Sequence, residues 1–143
     1  MIGLFIATAG VLGQVDSTSG EPALRVQVTG FQWQWRFAYE GTEVAIVGTP
    51  DTDPELVLPV GERIALDLQS ADVIHSFWVP QFLMKRDVIP GQTNEIELTL
   101  DAEGTYRGQC AEFCGQLHDQ MIFSIRAVPA DEFATWLANQ EGS

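Results

Sequence analysis

Positive charge is scarce in this chain of 143 residues, which has 7 Lys and Arg residues against 20 Asp and Glu residues. The resulting net charge of −13 argues against a nucleic-acid partner, because phosphate binding requires clustered Lys and Arg side chains. The acidity either attracts a basic protein partner or only keeps the domain soluble. The C-x-x-C-H pattern is also missing, so we expect no c-type haem attached to this chain.

The chain contains no run of about 20 apolar residues, the length that a helix needs to span a bilayer. Residues 1–15 are uncharged and largely apolar, but they lack the basic n-region of a secretory signal peptide. We expect them to be the end of a truncated transmembrane helix rather than a short core or interfacial segment. A polar linker at 16–23 and a single domain at 24–143 are predicted to follow.

Alternation of apolar and polar residues predicts a fold made mostly of β-strands. The run FQWQWRFAY at 31–39 alternates throughout, which predicts one strand whose aromatic side chains share a face. Residues 130–140 instead have helical spacing, with Phe133, Trp136 and Leu137 on one side. We therefore expect an all-β sandwich or barrel with a short C-terminal helix. The predicted strands with the clearest alternation are 24–30, 31–39, 63–70, 93–100 and 121–128.

Cysteine and histidine are rare, with two of each in the chain, yet most of them fall in one short stretch. The segment GQCAEFCGQLHDQM at 108–121 contains Cys110, Cys114, His118 and Met121. A disulfide, a zinc site, a redox dithiol and a copper site are all candidates. A disulfide would close a very short loop, Met is not a usual zinc ligand, and redox dithiols usually have two intervening residues. Copper fits best, because thiolate, thioether and imidazole all suit it.

The second histidine, His75, lies in VIHSFWVP, a predicted strand that ends at Pro80. Two histidines, one cysteine and a weakly bound methionine form a mononuclear blue-copper site. This chain has that set plus one more cysteine. Two thiolates can bridge two metal ions, so the residues favour a dinuclear copper centre.

The chain contains four extended motifs in this order: GFQWQWRF, VIHSFWVP, KRDVIPGQTNE and GTYRGQCAEFCGQLHDQM. Between residues 24 and 137 the sequence resembles the copper-A domain of cytochrome c oxidase subunit II. That resemblance implies a cupredoxin-like Greek-key β-barrel or sandwich. It also implies electron transfer from a c-type cytochrome to the haem of the oxidase catalytic subunit I.

The resemblance further implies a role for each residue of the centre. Cys110 and Cys114 would bridge both coppers, and His75 and Met121 would complete one of them. His118 and the backbone carbonyl of Glu112 would complete the other copper. The Glu112 side chain would reach a magnesium ion at the boundary with the catalytic subunit in the full complex.

Partners and location are implied in the same way. Trp33 would receive the electron, and His118 would pass it on. The domain would lie on the extracytoplasmic side of a membrane to which the full protein is anchored. The alternatives are a copper-A domain of a nitrous-oxide-reductase-like enzyme, which usually has an aromatic residue in place of Glu112, or a copper carrier. Candidate acids for docking a basic cytochrome are Asp51, Asp53, Glu55, Asp101, Glu103 and Asp119.

Overall fold

The strands of the computed structural model, which describes residues 20–142, form two five-stranded sheets. In chain order they are β1 (Leu24–Phe31), β2 (Gln34–Tyr39), β3 (Ala45–Val47), β4 (Glu55–Pro59), β5 (Arg63–Ser70), β6 (His75–Val79), β7 (Met84–Val88), β8 (Asn94–Thr99), β9 (Gly104–Cys110) and β10 (Ile122–Val128). One helix, α1 (Ala130–Glu141), follows β10. The predicted segment 1–15 and residues 16–19 of the predicted linker lie outside the described residues.

The order of strands within each sheet brings together segments that are far apart in the chain. One sheet has the order β3-β2-β1-β5-β8, and the other has the order β4-β10-β9-β6-β7. β1 pairs with β5 and β4 pairs with β10 in parallel, while the remaining pairs are antiparallel. The structure thus confirms the predicted all-β fold with a short C-terminal helix.

The core lies between the two sheets because alternate side chains of each strand point to opposite faces. Strands β1, β2 and β5 contribute fully buried residues from the first sheet, and β4, β6, β7 and β10 contribute them from the second. Trp35, Phe77 and Phe123 form the aromatic centre of this core, with ring centroids 4.5–5.8 Å apart.

The prediction of a single strand over 31–39 is wrong. Phe31 ends β1 and pairs with Gln34, the first residue of β2, so residues 32 and 33 form the turn of a hairpin. Trp35, Phe37 and Tyr39 do share the buried face of β2, whereas Phe31 and Trp33 lie at the turn. The alternation of residue types continues across this two-residue turn, which has none of the Asn or Gly residues that usually mark one.

Three short strands were not predicted individually. β3 and β4 lie between the predicted strands 31–39 and 63–70, and β7 lies after the predicted strand that ends at Pro80. β7 has the sequence MKRDV and pairs only with β6, at the edge of its sheet. Charged residues are common on edge strands because they discourage pairing with other chains.

The C-terminal helix forms where the sequence predicts it and covers one end of the core. Its residues Phe133, Trp136 and Leu137 are half-buried against the core, and Tyr39 contacts two of their rings at 5.2 and 6.1 Å. The Tyr39 hydroxyl donates to the Val57 carbonyl at 3.0 Å and accepts from the Val57 amide at 2.9 Å. Within residues 20–142, α1 and the two 3-10 turns are all too short or too polar to cross a membrane.

Candidate metal centre

The candidate ligands meet at one end of the sandwich, opposite to α1. β9 ends at Cys110, β6 begins at His75, and these two neighbouring strands are in register through the pair Phe77 and Cys110. The loop 111–121 then leads from β9 into β10. Strand pairing therefore brings His75 beside Cys110 although 35 positions separate them.

The two cysteine sulfurs lie at the centre of the ligand set, 3.8 Å apart. Cys110 Sγ is 3.9 Å from His75 Nδ1, and Cys114 Sγ is 3.5 Å from His118 Nδ1. Met121 Sδ lies 3.8 Å from Cys114 Sγ. Since a bridging thiolate contacts both metals, these distances are compatible with the division of ligands that the resemblance implies.

Glu112 contributes to this geometry through its backbone. Its carbonyl oxygen accepts from Cys110 Sγ at 3.2 Å, while its side chain points outward and is 48% exposed. The carboxylate forms an ion pair with Lys85 at 3.6 Å. The side chain is thus accessible to a partner surface, whereas the carbonyl faces the sulfurs.

Backbone hydrogen bonds close the loop that carries the ligands. The Cys110 amide donates to the Met121 carbonyl at 2.9 Å, and the Ala111 amide donates to the Ser76 carbonyl at 3.0 Å. A 3-10 turn at His118–Gln120 then directs Met121 back toward the sulfurs. The loop is therefore fastened at its two ends and to the start of β6.

Most of the ligand set is shielded from solvent. His75 and Met121 are fully buried, and the two cysteines are 3% and 4% exposed. His118 is half-buried, with the exposed ring of Phe113 5.7 Å away. The imidazole of His118 is consequently the one nearer to the molecular surface.

An acidic residue that the sequence reasoning missed orients His75. Asp72 Oδ1 lies 2.8 Å from His75 Nε2, and Asp72 also accepts hydrogen bonds from the Gln32 and Val73 amides. A carboxylate on the far nitrogen fixes which nitrogen of a ligating histidine faces the metal. The D-x-x-H spacing is the only signal in the sequence, and it is too common to identify such a pair.

Electrostatics differ between the sulfurs and favour a thiolate at Cys110. Burial raises the pKa of Cys110, but hydrogen bonds from His75 and the backbone outweigh it, so the pKa is lowered. Burial and then the charge of Cys110 raise the pKa of Cys114. For His75, burial lowers the pKa, but contacts with Cys110 and Asp72 outweigh it and raise the pKa overall.

The β1–β2 turn lies directly against the ligand loop. Gln32 Nε2 donates to the Cys114 carbonyl at 2.7 Å. The indole of Trp33 is so close to Gly115 that a Cβ there would lie 3.0 Å from Trp33 Nε1. Gly115 also has a φ of +129°, which few other residues adopt. Trp33, the predicted electron acceptor, is thus placed next to the chain segment of Cys114.

The predicted docking acids divide into separate groups. Asp51, Asp53 and Asp119 line a concavity of about 630 Å³ together with Trp33. Glu55 forms an ion pair with Arg126 at 2.8 Å. The loop 101–103 precedes the start of β9, at the end of the sheet opposite to Cys110, so it is remote from Trp33.

Two thiols, two imidazoles, a thioether and a carbonyl therefore converge on one small region. Soft sulfur ligands together with imidazole suit copper, whereas magnesium and calcium prefer oxygen ligands. Among the described residues, a grouping of metal-ligating side chains occurs at His75, Cys110 and Cys114, whose ligand atoms lie within 4.8 Å of one another. The residues present fit a copper centre.

Known proteins that this chain matches belong to one family. A family model described as the periplasmic domain of cytochrome C oxidase subunit II matches residues 43–128, which indicates an extracytoplasmic domain. A probable cytochrome c oxidase subunit 2 of Streptomyces coelicolor is 38% identical, and the match covers 91% of this chain and 53% of that protein. The cytochrome c oxidase subunit 2 of Alkalihalophilus pseudofirmus is 37% identical over 85% of this chain and 34% of its own length. The chain thus spans about half the length, or less, of these relatives.

Solved structures agree with the sequence matches. The periplasmic domain of subunit II of cytochrome oxidase (CoxB) of Bradyrhizobium japonicum has a TM-score of 0.78 and 35% identity, covering 86% of this chain and 96% of its own. A second structure is described as a mixed disulfide intermediate between a thioredoxin-like protein and subunit II of cytochrome c oxidase. It has a TM-score of 0.75 and 32% identity, covering 90% of this chain and 97% of the other. The likeness confirms the predicted cupredoxin-like fold.

Proposed function

This chain belongs to the family of cytochrome c oxidase subunit II periplasmic domains, and on that premise we propose that it transfers electrons through a dinuclear copper-A centre. The observation that carries the proposal is the pair of buried sulfurs 3.8 Å apart with an imidazole beside each. One blue-copper ion needs a single thiolate, so the second buried cysteine favours two metals that share the pair.

The proposed centre is held by His75, Cys110, the carbonyl of Glu112, Cys114, His118 and Met121. When bound, thiolate-bridged copper supplies a one-electron redox centre. Burial of His75, Met121 and both cysteines excludes water from it, and Asp72 holds the His75 ring in one orientation. A rigid, dry ligand set supports electron transfer because little has to move when the charge changes.

Electrons are proposed to arrive near Trp33 and to leave through His118. Trp33 lies against Gly115, the residue that follows the ligand Cys114. His118 is half-buried at the surface side of the ligand set, which suits a residue facing the haem of catalytic subunit I. The exposed carboxylate of Glu112 is proposed to bind magnesium at the same subunit boundary.

The proposed electron donor is a basic c-type cytochrome that docks on the concavity beside Trp33. Asp51, Asp53 and Asp119 provide negative charge there. Such charges act mainly on the association rate. We expect Asp51→Asn/Asp53→Asn to lower the association rate with a basic cytochrome. Asp101→Asn/Glu103→Gln removes the same charge at the remote end and should have a smaller effect, and equal effects would contradict this docking site.

A thioredoxin-like reductant is proposed as a partner during assembly. A structure of a related subunit II in a mixed disulfide with such a protein supports this. In this chain Cys110 and Cys114 are close enough for oxidation to compete with copper binding, since disulfide formation requires only modest movement from 3.8 Å. Membrane anchoring is proposed for parts of the full protein outside residues 20–142.

The alternatives receive less support. A copper carrier should expose its ligands for exchange, but four of the ligand side chains here are buried. For a nitrous-oxide-reductase-like protein, an aromatic residue is expected at position 112, and this chain has Glu112.

The test is to reconstitute the chain with copper, count the metal and record its electron paramagnetic resonance spectrum. We expect two coppers per chain, with hyperfine structure from one electron shared by both. One copper, or zinc binding alone, would overturn the proposal. A Met84→Leu variant is a matched control, because Met84 lies on β7 outside the ligand set and should leave the spectrum unchanged.

A further inference from the structure

We propose that Gly30, in strand β1, is a positioning residue: because it has no side chain, it leaves the space that the His75 imidazole occupies. The inference rests on the proposed role of His75 as a copper ligand, which it deepens. Gly30 is buried and pairs with Trp35 on β2 and with Ser70 on β5. The side chain of His75 reaches across from the other sheet and lies over this glycine.

The close approach is the evidence that a side chain at position 30 would press on the imidazole and force it to shift by a few tenths of an ångström. A Cβ on Gly30 would lie 3.0 Å from His75 Cδ2 and 3.3 Å from His75 Cγ, and also 3.3 Å from Trp35 Cζ3. Ordinary contacts between carbon atoms are about 3.5–4.0 Å. Gly30 does not have a positive φ, so its backbone would accept another residue. The constraint is therefore space above the strand and not backbone conformation.

The imidazole cannot move away from an added methyl group without losing other contacts. Its Nε2 is 2.8 Å from Asp72 Oδ1, its Nδ1 faces Cys110 Sγ at 3.9 Å, and Trp35 lies beside it with ring centroids 6.2 Å apart. These contacts leave the fully buried ring on the Gly30 side with no spare room. A methyl group there would change the direction of Nδ1 relative to the sulfur.

Comparison with another strand glycine separates this role from ordinary packing. A Cβ on Gly108 would lie 2.1 Å from the ring of Phe123, a core residue that is not in the proposed ligand set. A glycine in a strand often marks a place where another group approaches closely. At Gly30 the approaching group is a proposed ligand, so we infer that this glycine acts on the metal centre through His75.

The first test compares Gly30→Ala with the unchanged chain, without copper, by nitrogen-15 NMR of the imidazole rings. The chain has only two histidines, so His118, which has no contact with Gly30 among those described, is an internal reference. We expect the ring-nitrogen shifts of His75 to move and those of His118 to stay. Unchanged shifts of His75 would overturn the proposal.

Copper-loaded protein provides a second readout. Loss of a partner that orients a ligand typically lowers metal affinity about 10- to 100-fold, and we expect a loss of this size in Gly30→Ala together with a shifted reduction potential. Val28→Ala is the control on the same strand: Val28 is a buried core residue that pairs with Phe37 and Leu68, so its truncation should destabilise the core and leave the potential unchanged. Equal shifts in the two variants would mean general destabilisation and would overturn the proposal.

A double variant decides the case in which Gly30→Ala does not fold. Replacing His75 by Ala removes the nearer of the two rings that the methyl group would meet, so Gly30→Ala should destabilise the copper-free chain less in the His75→Ala background, where only Trp35 remains beside it. Additive losses of unfolding free energy would overturn the proposal. Because this comparison uses no copper, it tests the proposed role of Gly30 separately from the proposed copper function.

Discussion

The two ends of the sandwich are held together by different interactions. At the ligand end, the turn 32–33 and the loops 71–74 and 111–121 are joined by hydrogen bonds and surround sulfur and imidazole groups. At the opposite end, α1 packs its aromatic side chains on Tyr39, whose hydroxyl is paired with Val57. The first end holds the proposed metal ligands, and the second end closes the hydrophobic core.

This difference indicates that function and stability can be changed separately, although both ends share the strands β1 and β2. Gly30 and Trp35 lie near the ligand end of this hairpin, and Tyr39 lies at its far end. Substitutions at the two ends should therefore give opposite patterns in copper binding and in the free energy of unfolding.

The largest expected effect is at the two sulfurs that are proposed to bridge the metals. We expect Cys110→Ser or Cys114→Ser to abolish the delocalised two-copper spectrum, because a hydroxyl does not replace a bridging thiolate. The unfolding free energy of the copper-free chain should change little. Metal counting and electron paramagnetic resonance measure the first effect, and denaturant unfolding measures the second. A delocalised two-copper spectrum in either variant would contradict the proposal that both sulfurs bridge the metals.

The next effect concerns the carboxylate that orients His75. Asp72→Ala removes the acceptor at 2.8 Å from His75 Nε2, and we expect copper affinity to fall about 10- to 100-fold. Asp72→Asn is the matched control, because its side-chain oxygen still accepts a hydrogen bond, and its loss should be smaller. Competitive titration with a copper chelator measures both variants, and unchanged affinity in Asp72→Ala would show that His75 needs no partner.

At the opposite end, Tyr39→Phe should lower stability without changing the copper spectrum. The substitution leaves a buried amide and carbonyl of Val57 without their partner, which costs about 2 kcal/mol of unfolding free energy. Denaturant unfolding of the copper-free chain measures this loss. A changed copper spectrum in this variant would show that the two ends are coupled.

High pH should weaken the same end. Burial raises the pKa of Tyr39, although the hydrogen bond with Val57 lowers it. Below about pH 10 both the folded and the unfolded chain keep this phenol protonated, so its effect on stability is constant. Above that pH the unfolded chain releases the proton first, and stability should fall by up to about 1.4 kcal/mol per pH unit until the folded-state pKa is reached. Cys114, whose pKa is also raised, contributes a slope in both chains, so unfolding measured between pH 9 and 11 should show a steeper fall in the unchanged chain than in Tyr39→Phe.

The smallest expected change in the metal centre is at Met121. Met121→Leu keeps the size of the buried side chain but removes the thioether, so we expect two coppers to remain with a shifted reduction potential. Voltammetry of the loaded chain measures the shift. Loss of all copper would show that Met121 is a stronger ligand than an axial thioether.

Strand positions could be predicted from the sequence where alternation is regular, as in β1, β5, β8 and β10. The hairpin turn at 32–33 could not, because aromatic residues alternate through it and no turn-forming residue marks it. The sulfur and imidazole side chains of the candidate ligands also predicted a soft metal ion. The placement of the predicted docking acids was not evident from position in the chain, because it depends on strand order. Three of them lie around Trp33, namely Asp51, Asp53 and Asp119. Asp101 and Glu103 lie far from it.

The sequence by itself determined which ligand chemistry is available, because sulfur and imidazole groups are few and lie in one segment plus His75. It also determined the β-rich class and the family, since alternation and extended motifs are local properties. Only the tertiary structure decided that Asp72 holds His75, that Gly30 makes room for it, and that Gln32 bonds to Cys114. These contacts join residues up to 82 positions apart, and their geometry depends on strand register across two sheets, which local spacing does not record.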